Sequence, residues 1–294
     1  THLSIVENNS LKKKIIKTIE SLIGSHIQQK IPLGGGCICD VYKVSFNNGE
    51  TLVAKVGNSG SGLALEGMML EYLEQNTELP VPGVLYANDN LLLMTWMQSA
   101  GALDRSAQIH AADLVAALHK ISHGYFGFSC DTVIGGLNQT NLKNKSWLDF
   151  FAQHRLIDMA RQGLDVGRLP ISIMGRLERL SYNLDKWLKE PDQPSLIHGD
   201  MWGGNVLADA GRISGFIDPA IYFADPEIEL AFTTLFSTFG DDFFSRYREH
   251  REIEPGFFEE RRDLYNLYPL LVHVRLFGGS YVGSVDSILK KIGF

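Results

Sequence analysis

The stretch Leu196–Ala220, LIHGDMWGGNVLADAGRISGFIDPA, constrains this chain more than any other. Two short apolar runs, Leu196–Ile197 and Arg212–Ile217, bracket a polar loop, and each feeds a carboxylate into one neighbourhood. Asp200 follows His198-Gly199, Asn205 stands five residues on, and Asp218 follows the second run. An acid, an amide and a second acid on adjacent strand ends form a recurring device for phosphoryl transfer. The first acid orients and deprotonates a hydroxyl, while the amide and second acid hold the Mg²⁺ that bridges the nucleotide phosphates. The expectation is a kinase of a small hydroxylated molecule that uses ATP and Mg²⁺. The rest of the chain must then supply a phosphate cradle, a lysine and a substrate pocket.

A chain of 294 residues can bury a large core and split into two lobes. With 45% hydrophobic and 21% charged residues it has the composition of a globular protein. The net charge of −7 speaks against a nucleic-acid partner. No apolar run reaches the length of a membrane span, and the first residues do not resemble a secretion signal. Cys37, Cys39 and Cys130 are too few for a disulfide framework, and Cys37-x-Cys39 is too small a set for zinc. The expected compartment is the cytoplasm.

Along the chain, Ser10–Gly24 is predicted as a helix capped by Ser10, with a stripe of Ile15, Ile16, Ile19, Leu22 and Ile23. Ile31–Val44 and Thr51–Val56 have strand character and are joined by Asn47-Asn48-Gly49, which predicts a hairpin. A helix through Leu63, Glu66, Met69, Leu70 and Leu73 stops before Pro80 and Pro82. Leu91–Met97 is fully apolar, hence an inner strand. The lobe boundary is placed at Gln98–Arg105, giving residues 1–97 as a nucleotide-binding lobe and 98–294 as a catalytic and substrate-binding lobe. Beyond it helices are expected over Ser106–Lys120, Ser146–Gly163 and Ser172–Lys189. The two strands of the opening stretch follow, and then four helical segments, one starting at the capping Asp225.

Each candidate residue has a plain alternative. Gly35–Gly36 serves any tight turn, yet glycines also let backbone N–H groups approach phosphates. Lys55 could be an edge-strand lysine in solvent, or a phosphate contact held by Glu66, with Glu71 as the other possible partner. His198 reads as a packed histidine that holds the loop, because Asp200 already supplies the base; with Trp202 it makes up the substrate-side pair. Asn205 and Asp218 could be turn residues. Trp202 could equally be core or an aromatic platform for a sugar or an amine-linked group. The joint order of glycine loop, strand lysine, helix glutamate, His-Gly-Asp, Asn and Asp favours the kinase reading.

With these residues in hand, the sequence resembles the fructosamine kinase (ketosamine-3-kinase) family, a branch of the kinase-like fold shared with aminoglycoside phosphotransferases and choline kinases. The matching pieces are LGGGCICDVYKV at Leu33–Val44, LVAKV at Leu52–Val56, SWLDFFAQHRL at Ser146–Leu156, HGDMWGGNV at His198–Val206, IDPAIYFADPEIELAF at Ile217–Phe232 and LYPLLVHVRLFGGSY at Leu267–Tyr281. The resemblance implies a two-lobed α+β protein-kinase-like fold: a small N-terminal lobe with an antiparallel sheet and one key helix, and a larger, mostly helical C-terminal lobe. It implies ATP-dependent phosphorylation of the 3-hydroxyl of a ketosamine, free or protein-bound, in deglycation repair. Carried over by motif, Asp200 is the base, Asn205 and Asp218 are the Mg²⁺ ligands, Lys55 is the phosphate contact and Glu66 its partner. Gly35, Gly36 and Cys37 form the phosphate loop, where oxidation of Cys37 would block ATP. Met94–Met97 forms the adenine hinge, through backbone groups of Thr95 and Met97. The chain departs from the family pattern at the hinge, where Thr95 stands in place of the usual acid before Trp96, and at Ala64. The rivals are an aminoglycoside or amino-alcohol phosphotransferase and a nucleotide-binding regulator without turnover.

Overall fold

The computed structural model describes residues 2–34 and 39–294, with residues 2–12 described by backbone alone. The chain divides into two compact units, Thr1–Tyr72 with Pro82–Met97, and Leu73–Val81 with Gln98–Phe294. The segment 73–81, which the sequence reading assigned to the smaller lobe, counts with the larger. The Pro80 carbonyl there accepts the Phe216 N–H at 2.8 Å.

The smaller unit is built on five antiparallel strands: β1 (Ile27–Leu33), β2 (Asp40–Phe46), β3 (Thr51–Val56), β4 (Val84–Ala87) and β5 (Leu91–Thr95). Their order is β1-β2-β3-β5-β4, so β3 is the middle strand and β5 an inner one. The run Ile31–Val44, taken from sequence as one strand, is two strands. Helix α1 (His2–Ile23) presses Ile15 and Ile19 onto Val44, Phe46, Leu52, Ala54, Leu91 and Leu93. Alternation along a strand turns Val53, Lys55, Leu92 and Met94 to the other face. Helix α2 (Leu63–Asn76) lies on that side, where a Cβ on Gly67 would meet Ala87 at 2.5 Å and Leu92 at 3.4 Å. Both faces of β5 are therefore covered, which is why it reads as a continuous apolar run.

Three local expectations differ. No glycine or proline interrupts residues 2–23, so α1 begins at His2 and position 10 lies inside the helix rather than at its start. Leu22 is exposed, because contact with the sheet is made by Ile15 and Ile19. Strand β5 ends at Thr95 rather than Met97, since its partner β3 starts at Thr51 and Leu52 already faces Thr95.

In the larger unit α3 (Arg105–His119) is capped by Asp104, whose carboxylate accepts the Ala107 N–H at 2.9 Å. Its buried face is Ala107, Ala111, Ala112, Val115, Ala116, Leu118 and His119, while Ile109 and Leu114 are half-buried. A short hairpin that the sequence reading missed, β6 (Thr132–Ile134) with β7 (Leu137–Gln139), follows. The helix expected over Ser146–Gly163 is α4 (Trp147–Phe150), a π-helical stretch Phe151–Ile157 and α5 (Asp158–Asp165). It starts at the Ser146 cap. Helix α6 (Ile171–Ser181) is shorter than expected.

The opening stretch and its sequel fold as two separate ladders. Strand β8 (Ser195–Ile197) pairs with β11 (Tyr222–Ala224), and β9 (Val206–Asp209) pairs with β10 (Arg212–Phe216). The two apolar runs are thus not neighbouring strands, because each takes a local partner. Four helices complete the unit: α7 (Glu227–Leu235), α8 (Asp241–His250), α9 (Arg262–Phe277) and α10 (Ser280–Lys291). No helix among the described residues is long and apolar enough to cross a membrane.

Candidate active site

The chain leaves β8 into His198-Gly199-Asp200, and cross-ties fix that loop against Asp218-Pro219-Ala220. The Ala220 N–H donates to the His198 carbonyl at 2.8 Å, and the Ile217 N–H donates to the Asn205 carbonyl at 3.0 Å. Gly199 sits at φ +89°, and a Cβ there would fall 2.0 Å from the Ala220 carbonyl oxygen. Only glycine permits both the left-handed backbone and that approach. The two acids are brought together by these ties rather than by strand pairing.

His198 is fully buried. Its Nε2–H donates to the Ile217 carbonyl at 2.9 Å, and its Nδ1 accepts the Asp200 N–H at 3.3 Å. Burial holds its pKa below the ordinary value, so the neutral ring is favoured. Both ring nitrogens serve the loop, which fits the holding role and leaves neither facing a substrate.

Asn205 Nδ2 donates to Asp200 Oδ2 at 3.0 Å and to the Asp200 carbonyl at 2.8 Å. That fixes the orientation of the Asp200 carboxylate and reserves the Asn205 amide oxygen for another partner. Asp218 adopts φ +51°, a backbone conformation rare outside glycine and often found at functional sites. Desolvation, and then the nearby Asp218 charge, push the Asp200 carboxyl up to about 8, while the Asn205 hydrogen bond opposes the shift. An amide oxygen beside a carboxylate suits Mg²⁺, which takes a few oxygen ligands from protein and the rest from phosphates and water.

Behind the loop lies a carboxylate that the sequence reading treated only as part of a helix. Glu229 on α7 accepts the His198 N–H (3.1 Å) and His119 Nε2–H (2.8 Å) on Oε2, and the Gly199 N–H (2.8 Å) on Oε1. His119 Nδ1 in turn accepts the Tyr247 hydroxyl at 2.7 Å. Helices α3, α7 and α8 thereby hold the backbone of the His198–Asp200 loop through one buried chain. The available signal was an acid inside the apolar run Ile228–Phe232, where an unpaired charge would be costly.

In the smaller unit Lys55 is buried on the α2 face of β3, and its Nζ lies 2.6 Å from Glu66 Oε1. Glu71, the other possible partner, is exposed. Met94 is buried, and Thr95 faces Gly83. The Thr95 N–H donates to the Gly83 carbonyl and the Thr95 hydroxyl accepts the Gly83 N–H, both at 2.9 Å. Of the backbone groups expected from Thr95 at the hinge, the N–H is therefore already engaged, and Met97, half-buried, lies just past the strand. Gly35, Gly36 and Cys37 lie outside the described residues.

Trp202 is 41% exposed, so it is not a core residue. Its ring folds over Gly204, where a Cβ would come within 2.3 Å of the indole. Its aromatic neighbour is Phe236, with ring centroids 6.2 Å apart.

The family model described as fructosamine kinase matches residues 11–293. The chain belongs to the fructosamine kinase family. The probable ketoamine kinase of Synechocystis sp. is 30% identical over 274 residues, covering 90% of each chain. The chloroplastic protein-ribulosamine 3-kinase of Oryza sativa subsp. indica is 31% identical, covering 87% of this chain and 76% of its own. The crystal structure assigned to a fructosamine-3-kinase of Thermobifida fusca superposes with a TM-score of 0.81 at 28% identity, covering 94% of this chain and 98% of that one. A gentamicin-bound phosphotransferase superposes at 0.67 and 19% identity, which shows the kinase-like fold alone. Membership makes this chain an ATP-dependent kinase with the two-lobed α+β architecture of the family.

Proposed function

We propose that the chain transfers the γ-phosphoryl group of ATP to the 3-hydroxyl of a ketosamine, as a step in removing sugars from glycated amines in the cytoplasm. The observation that carries most weight is the braced Asp200: one carboxylate oxygen held by Asn205, the loop backbone held by Glu229, and the half-exposed Trp202 two residues on. Asp200 orients the acceptor hydroxyl and takes its proton as the oxygen attacks phosphorus in line and ADP departs. The Asn205 amide oxygen and the Asp218 carboxylate would hold Mg²⁺, which would neutralise phosphate charge and the Asp218 charge that disfavours ionised Asp200. Lys55, kept in place by Glu66, contacts the nucleotide phosphates, and Gly35, Gly36 and Cys37 form the loop around them. Met94, Thr95 and Met97 border the adenine, with Met97 supplying the backbone N–H that Thr95 cannot. Trp202 packs against the sugar.

The test is ADP release on fructosyl-, ribulosyl- and erythrulosyl-lysine, with an aminoglycoside as control acceptor and phosphorus NMR to place the phosphate. Phosphorylation at the 3-hydroxyl of at least one ketosamine is expected. Turnover confined to the aminoglycoside, or transfer to another hydroxyl, would overturn the reading.

A further inference from the structure

The turn after α7 carries chemistry that the roles above leave unused. Residues 236–240 join α7 to α8 and border a pocket of about 850 Å³, which also reaches Gly203 of the catalytic loop and Arg262 at the start of α9. That volume falls in the range of small-molecule sites. Ser237 holds φ +53°, a strained conformation for a residue with a side chain. Thr238 beside it is only 7% exposed, and its Oγ1 is buried with no hydrogen-bond partner. A buried hydroxyl left unpaired weakens a fold unless something else uses it. A Cβ on Gly203 would stand 3.9 Å from that oxygen, so the hydroxyl lies beside the loop that carries Asp200 and Asn205.

The rest of the lining suggests what occupies the pocket. Phe236 is partly exposed in the lining, and Trp202, outside the lining, meets it edge to face. The Arg262 Nε lies 3.3 Å from Asp263 Oδ1, and among the described residues no other group engages its guanidinium. Asp241 also borders the pocket, so a zwitterion fits better than a bare anion. We propose that this pocket is the amine-side subsite of the enzyme: Phe236, beside the sugar-packing Trp202, packs on the apolar linker, Thr238 hydrogen-bonds the acceptor, and Arg262 binds a carboxylate on the glycated amine. The inference rests on the ketosamine reading and narrows it to amines that bear a carboxylate, as free amino acids and short peptides do. Guanidinium suits that role because its planar fork matches a carboxylate.

Steady-state kinetics of the wild type, Thr238→Val and Arg262→Gln on ribulosyl-lysine, its glycated tripeptide and ribulosyl-butylamine test it. The wild type should favour ribulosyl-lysine over the butylamine adduct by roughly 10- to 100-fold in kcat/KM, the effect of one charge-assisted contact. Arg262→Gln should remove that preference; the same loss with the tripeptide identifies peptides as a second source of the carboxylate. Thr238→Val should raise KM about 2- to 10-fold while Tm stays equal or rises, because a hydroxyl with no protein partner is removed. A purely structural threonine would instead lose stability at unchanged KM, and that result overturns the proposal. Equal kcat/KM for the two amines in the wild type also overturns it. A wild type that phosphorylates no ketosamine sinks the parent reading and this one together, a pattern distinct from turnover without discrimination.

Discussion

Two glutamates hold the working parts of this chain, and they hold them differently. Glu66 restrains a side chain: its Oε1 takes the Lys55 ammonium at 2.6 Å, at the end of a flexible four-carbon stem. Glu229 restrains backbone: its two oxygens take two consecutive N–H groups of the catalytic loop and a buried histidine that is itself anchored by Tyr247. The first arrangement positions a charge that, in the proposed role, must still reach a phosphate. The second satisfies two backbone donors of the loop directly. Stability should therefore depend on Glu229 and activity on both.

The largest effect on folding is expected at Glu229. Glu229→Ala leaves two buried N–H groups and a buried imidazole without an acceptor, a loss of roughly 3–5 kcal/mol, read as a lower urea midpoint. Wild-type stability in that variant would show that the loop holds itself. Replacing both members of the other pair, Lys55→Met with Glu66→Leu, should leave the midpoint within about 1–2 kcal/mol of wild type, since apolar residues often substitute for a buried ion pair without loss. The same double variant should lose phosphoryl transfer. A variant that unfolds would erase the contrast between the two glutamates.

The smallest effect concerns pH. Burial alone would raise the Glu229 carboxyl, but the His119 hydrogen bond, the charges of His119 and His198 and the Gly199 N–H together hold it below the ordinary glutamate value. A depressed folded pKa stabilises the protein above the unfolded value of about 4.3, and that contribution is lost as pH falls through the lower folded value. Stability should thus drop below about pH 4.3, and Glu229→Gln should show a shallower drop. Parallel acid-unfolding curves would remove Glu229 from that transition.

The same contrast explains what could be read from the sequence. Lys55 and Glu66 were legible because a lysine inside an apolar strand demands a partner, and the next helix offers few. That Asp200, Asn205 and Asp218 come together was legible because their spacing pointed to one site. Glu229 was not, since its partner His119 lies 110 residues before it, and that histidine's own anchor, Tyr247, is on α8. The ladders β8–β11 and β9–β10 were missed for a related reason: strands of three to five residues carry too little alternation to reveal their partners. The pocket at Thr238 has no sequence signature at all, because an unpaired hydroxyl is visible only once its surroundings are known.

The most direct test of the account is the rate of phosphoryl transfer to the ketosamine in Asp200→Asn, measured in a single turnover at saturating ATP. If Asp200 is the base, the rate should fall roughly 10²–10⁴-fold while nucleotide affinity stays near wild type. A rate within a few-fold of wild type would contradict the assignment, and with it the central claim that the whole braced loop exists to present that carboxylate.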